Sequence, residues 1–463
     1  MSTPRILIVG AGPAGTRATE TLCANGIRPV VVDEAPQSGG QIYRRPPADA
    51  GFTRPATALY GVAAGKAVAL HTAFDSLRCN VDYRPQTLVW SIQDRTAYTL
   101  RGDVAEAIPF DRLILATGAM DRVIPFPGWT TPGVFTLGGA QIALKHQGCA
   151  IGQRTLFLGT GPLLYLVAWQ YVNAGAEVTA VLDTSPIGRR IAALPRLAAE
   201  SRTLMQGLRH TVGLLARGVR VETGIEPLAV LGDDAVAALA YRDAGGRERE
   251  IPCDAIGFGY GLKPETQLAE LSGCRFRFHE TTRLWLPEID RLGRSSNVEG
   301  VYLAGDGAGI AGADAAELTG ERAAWAVLAD LGRPLPEDRI ASLERRLARL
   351  ARFREGLEYA FPFPARLAAK MDDSTVLCRC EAITAGALRA AATGPLAGNE
   401  LNRAKALTRV GMGRCQARIC GPAAQEVLAD ALALPVEQVG RLRVQPPIKP
   451  VPVDAIATAE RAR

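Results

Sequence analysis

The chain has 463 residues, of which 48% are hydrophobic and 22% charged, and its net charge is +6. That length accommodates two or three domains with separate cores, in a composition ordinary for a globular protein. Aromatic residues make up 6% and no basic stripe runs among them, which argues against nucleic-acid binding, and no apolar run is long enough to span a bilayer.

The first residues run straight into an apolar strand, with no charged region, apolar core and cleavage site of a secretory leader. A cytoplasmic protein with reduced thiols is therefore expected. There, nine cysteines point to metal or redox chemistry more than to disulfides. Five of them (Cys23, Cys79, Cys149, Cys253, Cys274) are scattered and expected to pack as small hydrophobes.

Residues 5–9 read as a buried strand, followed by Gly10-Ala-Gly12-Pro13-Ala14-Gly15. A helix over 13–24 should stop at Gly26, and a second strand over 27–33 ends in Asp33-Glu34. The glycines let the backbone approach a pyrophosphate at the helix N-terminus, and a carboxylate at the end of the second strand holds the ribose hydroxyls. Residues 113–117 form another buried strand, ending in Ala116-Thr117-Gly118.

The opening pattern returns 149 residues later, with Gly159, Gly161 and Pro162 between a strand over 154–158 and a helix over 163–174. A strand over 177–182 then ends at Asp183, the counterpart of Glu34, which favours Glu34 over Asp33 as the first ribose ligand. Leu164 replaces the third glycine. The second site therefore either binds NAD or another adenine nucleotide, with Asp183 favouring a free 2′-hydroxyl, or persists as a fold without a ligand. Further on, a strand over 301–303 enters Ala304-Gly305-Asp306-Gly307 and a helix begins near 314. Asp306, which read alone could be a plain helix cap, is with the first fingerprint and the Ala-Thr-Gly strand placed to hold a ribitol hydroxyl, and the helix dipole favours negative charge on a reduced flavin.

With Glu34 and the loop Gly39-Gly40-Gln41-Ile42, these segments resemble the two-dinucleotide-binding flavoprotein superfamily, the α/β fold of glutathione and thioredoxin reductases. The resemblance implies an FAD domain from residues 1–118 and 255–330, with an inserted second nucleotide domain over 119–254. Gly10, Gly12, Pro13, Ala14, Gly15, Glu34, Gly40, Gln41, Ala116, Thr117, Gly118, Gly305 and Asp306 would hold FAD. The reductases' CxxC is missing, since Cys149 stands alone, so dithiol relay chemistry is not expected.

A linker helix over 334–367, within a connecting region 331–372, breaks at Phe361-Pro-Phe-Pro364. A small helical domain over 373–445 then carries Cys378, Cys380, Cys415 and Cys420 in C-x-C-x34-C-x4-C spacing, and a tail follows over 446–463. Thr384 is a candidate N-cap, and Gly421-Pro422 should open a helix. Four thiolates suit a 2Fe–2S cluster or zinc; the x1 spacing of the first pair is less usual for zinc, and an empty thiol site is the remaining alternative. Arg379, Arg414 and Arg418 would raise the cluster's potential if they face it and are otherwise solvated surface.

The quartet resembles the bacterioferritin-associated-ferredoxin type of 2Fe–2S domain, with a wider second pair. From GGQIYRRPP through LNRAKALTRVGMGRCQARICGP to RVQPPIKPVP, the chain resembles the α (A) subunits of heteromeric amino- and imino-acid dehydrogenases, which include opine oxidases, D-hydroxyproline dehydrogenase and hydrogen cyanide synthase. That resemblance implies a substrate-oxidising flavoprotein β subunit, with a small third subunit in some assemblies, a downstream electron acceptor and, in related complexes, a second flavin between subunits. His71, His146, His210 and His279 fall in no motif, which leaves catalysis here to cofactors. The rival readings are a self-sufficient NADH-dependent reductase and a non-catalytic nucleotide-binding scaffold.

Overall fold

Strands apolar on both faces bury in the middle of a parallel sheet, and residues 6–9, 112–115 and 301–303 have that composition. The computed structural model describes residues 4–47, 51 and 54–456 and makes them neighbours. The first sheet runs Val301–Leu303, Arg112–Leu115, Ile6–Val9, Val30–Val32, Asp82–Arg84, all parallel. Leu7 lies between Val30 and Leu113. This register brings the strand ends at Val9, Leu115 and Leu303 to one edge, where the turns that follow each strand converge. Helices Pro13–Ala24 and Ala313–Asp330 cover one face at close range. A Cβ on Gly320 would lie 2.0 Å from the Ala14 carbonyl oxygen, so this crossing tolerates no side chain.

The second sheet runs Arg220–Thr223, Glu177–Asp183, Arg154–Thr160, Ala255–Tyr260, Val134–Thr136, again parallel. This corrects the domain boundary expected at 254/255, because 255–260 is a central strand of the inserted domain. Its alternation of glycine with apolar residues lets it pack closely against Arg154–Thr160. The return crossing is Leu262–Pro264, which pairs antiparallel with Ala119–Asp121.

After the first domain the helix Glu337–Ala360 lies against both Ala313–Asp330 and Ile187–Leu197, and the chain breaks at Phe361 as its prolines require. Arg339 pairs with Glu321 at 2.6 Å, Arg322 with Glu344 at 3.1 Å and Arg349 with Glu200 at 2.5 Å, so ion pairs flank the helix on both sides.

The cysteine-bearing region combines a small hairpin, Val376–Cys378 with Ile383–Thr384, and helices Ala385–Thr393, Leu401–Thr408 and Gly421–Leu432. Thr384 caps its helix by accepting from the Ala387 N–H at 3.1 Å. This region is no appended bead: Leu377, Leu388 and Val427 share one buried apolar cluster with Val123, Phe126 and Trp129 of the inserted domain. The Trp129 Nε1 donates to the Val376 carbonyl at 2.6 Å. The tail then returns to the first domain, where the Ile448 N–H meets the Trp90 carbonyl at 3.0 Å; its last residues, 457–463, lie outside the described set. Cys253 and Cys274 are buried as expected, but Cys79 and Cys149 are exposed because each sits in a turn just beyond a helix.

Candidate functional site

The glycine turn after Ile6–Val9 is built for close approach. Gly10 has φ +104°, and a Cβ there would stand 2.3 Å from the Ala116 carbonyl oxygen. A Cβ on Gly15 would stand 1.8 Å from the Gly10 carbonyl oxygen. Gly15→Ala must therefore push backbone apart, and a stability loss of about 1–3 kcal/mol is expected in urea unfolding. Pro13 opens the helix and Ala14 is buried beneath it. Gly12 faces the flavin-type loop, with a Cβ on Gly40 only 3.0 Å from its Cα. Gln41, beside Gly40, accepts from Arg44 at 2.7 Å.

The two acidic residues at the end of the second strand divide their work. The Asp33 carboxylate accepts from the Ala11 N–H at 2.5 Å and the Ala35 N–H at 2.7 Å, so it braces the glycine turn. Glu34 keeps a half-exposed carboxylate, which pairs with Lys449 from the tail. On the far side of the turn, the Thr117 hydroxyl donates to the Glu265 carbonyl at 2.6 Å. Asp306 receives the N–H groups of Ala311 at 2.8 Å and Gly312 at 2.9 Å on one oxygen, and its second oxygen has no such bond. Gly305 joins the same cluster by donating its N–H to the Thr319 hydroxyl at 2.9 Å.

Beside this loop, Lys145 is buried and donates to the Ile42 carbonyl at 3.2 Å. Burial first, and the Arg44 charge second, pull its pKa down to about 8 from an ordinary 10.5. Between those two pH values the unfolded chain binds more protons, so this lysine's contribution to stability rises with pH. The wild type should therefore gain stability relative to Lys145→Met from pH 8 to pH 10, read by denaturant titration.

The second glycine turn differs. Asp183 is fully buried, accepting from the Ser185 N–H at 2.7 Å and the Ser185 hydroxyl at 2.6 Å, while its other oxygen pairs with Arg190. The Arg190 guanidinium lies 5.1 Å from the Tyr165 ring and 4.9 Å from the Phe361 ring. Leu164, in place of the third glycine, is buried in an apolar cluster with Phe157 and Tyr171. The carboxylate expected at a ribose edge beyond Gly159 and Gly161 is thus turned inward, because an arginine seven residues on captures it. Such a capture is invisible in a glycine fingerprint.

Among the described residues, no three His, Cys, Asp or Glu side chains gather in a way that would hold a single metal ion. The four terminal thiols lie as one group. Cys378 interacts with Cys420 and Cys380 with Cys415, and Cys415 also interacts with Cys378 and Cys420. The hydrogen bond from Cys420, helped by the N–H groups of Gly411, Glu381 and Cys380, draws the Cys378 pKa down to about 6. The same bond, with burial, pushes Cys420 well above its ordinary value, and burial raises Cys415.

This thiol group abuts the return crossing. Arg418, nearly buried, donates to the Glu265 carboxylate at 2.7 Å and to the Ile448 carbonyl at 2.7 Å. Of the two readings of Arg418, solvated surface is excluded by its burial, and as a neighbouring charge it is paired with Glu265; Arg379 lies over the Trp129 ring at 5.5 Å. Lys263, whose pKa is lowered by burial, interacts with the charges of Cys415 and Cys420, and Lys405 interacts with that of Cys420. Lys263 and Glu265 went unmarked in the sequence, although they directly follow the strand that mirrors 154–160. The histidines are all engaged structurally: His71 with the Tyr43 carbonyl at 2.8 Å, His146 with that of Arg45 at 3.2 Å, His210 stacked on Trp169 at 6.0 Å, and His279 with Thr282 at 2.9 Å.

The pyridine nucleotide-disulphide oxidoreductase family matches residues 4–325, and the sarcosine oxidase A3 domain matches 377–460, which includes all four cysteines. The chain belongs to the pyridine nucleotide-disulphide oxidoreductase family, as a relative of the α subunits of heteromeric amino-acid dehydrogenases. It is 37% identical to the opine oxidase α (A) chain of Rhizobium meliloti over 98% of this chain and 87% of that protein. It is 32% identical to hydrogen cyanide synthase subunit HcnB of Pseudomonas aeruginosa over 97% and 98% of the two. In fold it is similar to L-proline dehydrogenase from P. horikoshii, with TM-score 0.72 and 19% identity over 98% of this chain and 79% of that one. Thioredoxin reductase of T. acidophilum is similar over 71% of this chain and 99% of its own, with TM-score 0.52 and 18% identity. Membership makes the chain a flavin oxidoreductase with the α/β fold of FAD-binding enzymes and a helical C-terminal region. No helix among the described residues is long and apolar enough to cross a membrane.

Proposed function

We propose that this chain is the FAD- and 2Fe–2S-carrying electron-transfer subunit of a heteromeric dehydrogenase that oxidises the C–N bond of an amino or imino acid. The observation that carries the reading is the docking of the thiol quartet on the crossing strand beside the flavin-type turn, through Thr117, Glu265 and Arg418. The relatives from opine oxidase and hydrogen cyanide synthase, each named as one subunit of its enzyme, support the substrate class and a partner polypeptide.

The residues fit both groups. Gly10, Gly12 and Gly15 leave the backbone bare for a pyrophosphate, Glu34 offers a carboxylate edge to a ribose, and Asp306 has an oxygen free for a polyol hydroxyl. A binuclear iron–sulfur centre takes four thiolates, and Cys378, Cys380, Cys415 and Cys420 interact with one another as one group, with an x1 first spacing that is less usual for zinc. When bound, the two groups supply electron acceptance and one-electron transfer. The chain's own part is positional. Lys263 places a half-buried amine near Cys415 and Cys420, Glu265 ties the thiol region to the flavin-type turn, and Trp129 anchors its hairpin.

The captured Asp183 weighs against NAD at the second turn, and hence against a self-sufficient NADH reductase. The decisive experiment is co-purification with a substrate-oxidising flavoprotein subunit, followed by anaerobic addition of proline, hydroxyproline, an opine or glycine. Substrate-dependent bleaching of this chain's flavin and cluster only in the complex is the expected result. Prompt bleaching of the isolated chain by NADH would sink the proposal, and so would a chain devoid of flavin absorbance and acid-labile sulfide.

A further inference from the structure

A cavity of about 390 Å³ opens where the return crossing, the hairpin Phe276–His279 with Leu284–Pro287, the first turns of Ala313–Asp330 and the helix Glu337–Ala360 meet. None of residues 10–15, 34, 40–41 or 116–118 and none of the cysteines line it; Ala311 and Thr319, which bond Asp306 and Gly305, do, so it adjoins the flavin-type turn without sharing its glycines. Its size lies in the range of small-molecule pockets.

The cavity holds polar groups that the protein leaves unsatisfied. Arg122 is 3% exposed; its two terminal nitrogens donate to the carbonyls of Thr282 at 2.6 Å and Arg283 at 3.0 Å, and its Nε has no partner. The Phe363 ring covers one guanidinium face at 3.3 Å. No carboxylate touches Arg122. The nearby Glu426 is bound in bidentate fashion by Arg283, both bonds at 2.6 Å. Tyr260 is 2% exposed and its hydroxyl also has no partner. The other arginines here are paired, Arg322 with Glu344 at 3.1 Å and Arg354 with Glu358 at 3.0 Å. Burial pulls Arg122 down to about 9, so it remains charged at neutral pH, and pushes the Tyr260 phenol up, so it remains a donor.

A buried cation without a counter-charge and a buried hydroxyl without an acceptor are both costly to keep, and both are relieved by one anionic acceptor. The neighbouring helix N-terminus does not provide the site, because Asp306 already takes the N–H groups of Ala311 and Gly312. What remains is a planar guanidinium edge and a phenol beside walls of Leu262, Leu284, Leu286 and Ile310. That combination suits a planar anionic head on an apolar body better than a tetrahedral, fully polar anion.

We propose that this cavity is a binding site for a small organic carboxylate, its head on Arg122 and Tyr260 and its aliphatic body against the leucines. The assignment does not rest on the electron-transfer reading. Calorimetric titration of the full chain with hexanoate, hexan-1-ol, inorganic phosphate and FMN tests it. Hexanoate should bind, hexan-1-ol and phosphate at least tenfold more weakly, and Tyr260→Phe should weaken hexanoate about tenfold. Arg122→Met removes the charge but also the ties to residues 282–283, so the phenylalanine variant carries the test if the methionine variant does not fold. Absence of hexanoate binding, equal binding of phosphate, no change in Tyr260→Phe, or displacement of hexanoate by FMN would each overturn the assignment.

Discussion

Asp183→Asn is expected to lower the stability of the inserted domain by about 3–5 kcal/mol, the cost of leaving one partner of a buried ion pair without the other. The substitution keeps the side-chain volume and some of the bonds from Ser185, but strands the Arg190 charge between Tyr165 and Phe361. Hydrogen exchange along Glu177–Asp183 reads the loss locally. The double variant Asp183→Asn, Arg190→Met should recover much of it, because removing both charges is far less damaging than removing one. In neither variant should NADH bleach a bound flavin, since the wild-type carboxylate is already inside the protein. A wild type that binds NADH tightly and loses it in Asp183→Asn would overturn this account.

Replacing Cys415 with Ser is expected to abolish cluster absorbance and acid-labile sulfide while FAD stays bound. Serine retains the shape but not the soft thiolate, and Cys415 interacts with both Cys380 and Cys378. Cys420→Ser should do the same, and more damagingly, because Cys420 is buried in the apolar cluster shared with the inserted domain. Loss of FAD together with the cluster in Cys415→Ser would mean that Glu265 and Arg418 make the two sites one cooperative unit.

How much of this was legible in the sequence follows from how local each feature is. Both glycine turns, their helices, the 301–303 strand, the Thr384 cap and the break at Phe361 are set by neighbouring residues, and all appear where the spacing places them. The preference for Glu34 over Asp33 comes from aligning two halves of one chain, whereas the bonds that hold Asp33 to the N–H groups of Ala11 and Ala35 could not be read from that alignment. The misreadings are long-range. Nothing near residue 255 says that this strand completes the second sheet, since its partners lie about a hundred residues back. Arg418 reads as either a cluster-tuning charge or solvated surface until Glu265 appears beside it, and Lys449 has no reason to meet Glu34 until the tail folds back.

The helix Glu337–Ala360 lies against both nucleotide domains at once, with ion pairs to Glu321 and Glu200 along its flanks. It spans the two domains beside the two-strand crossing at 119–121 and 262–264, so rotating one domain against the other would have to break packing and ion pairs on two sides of one helix as well as bend the crossing.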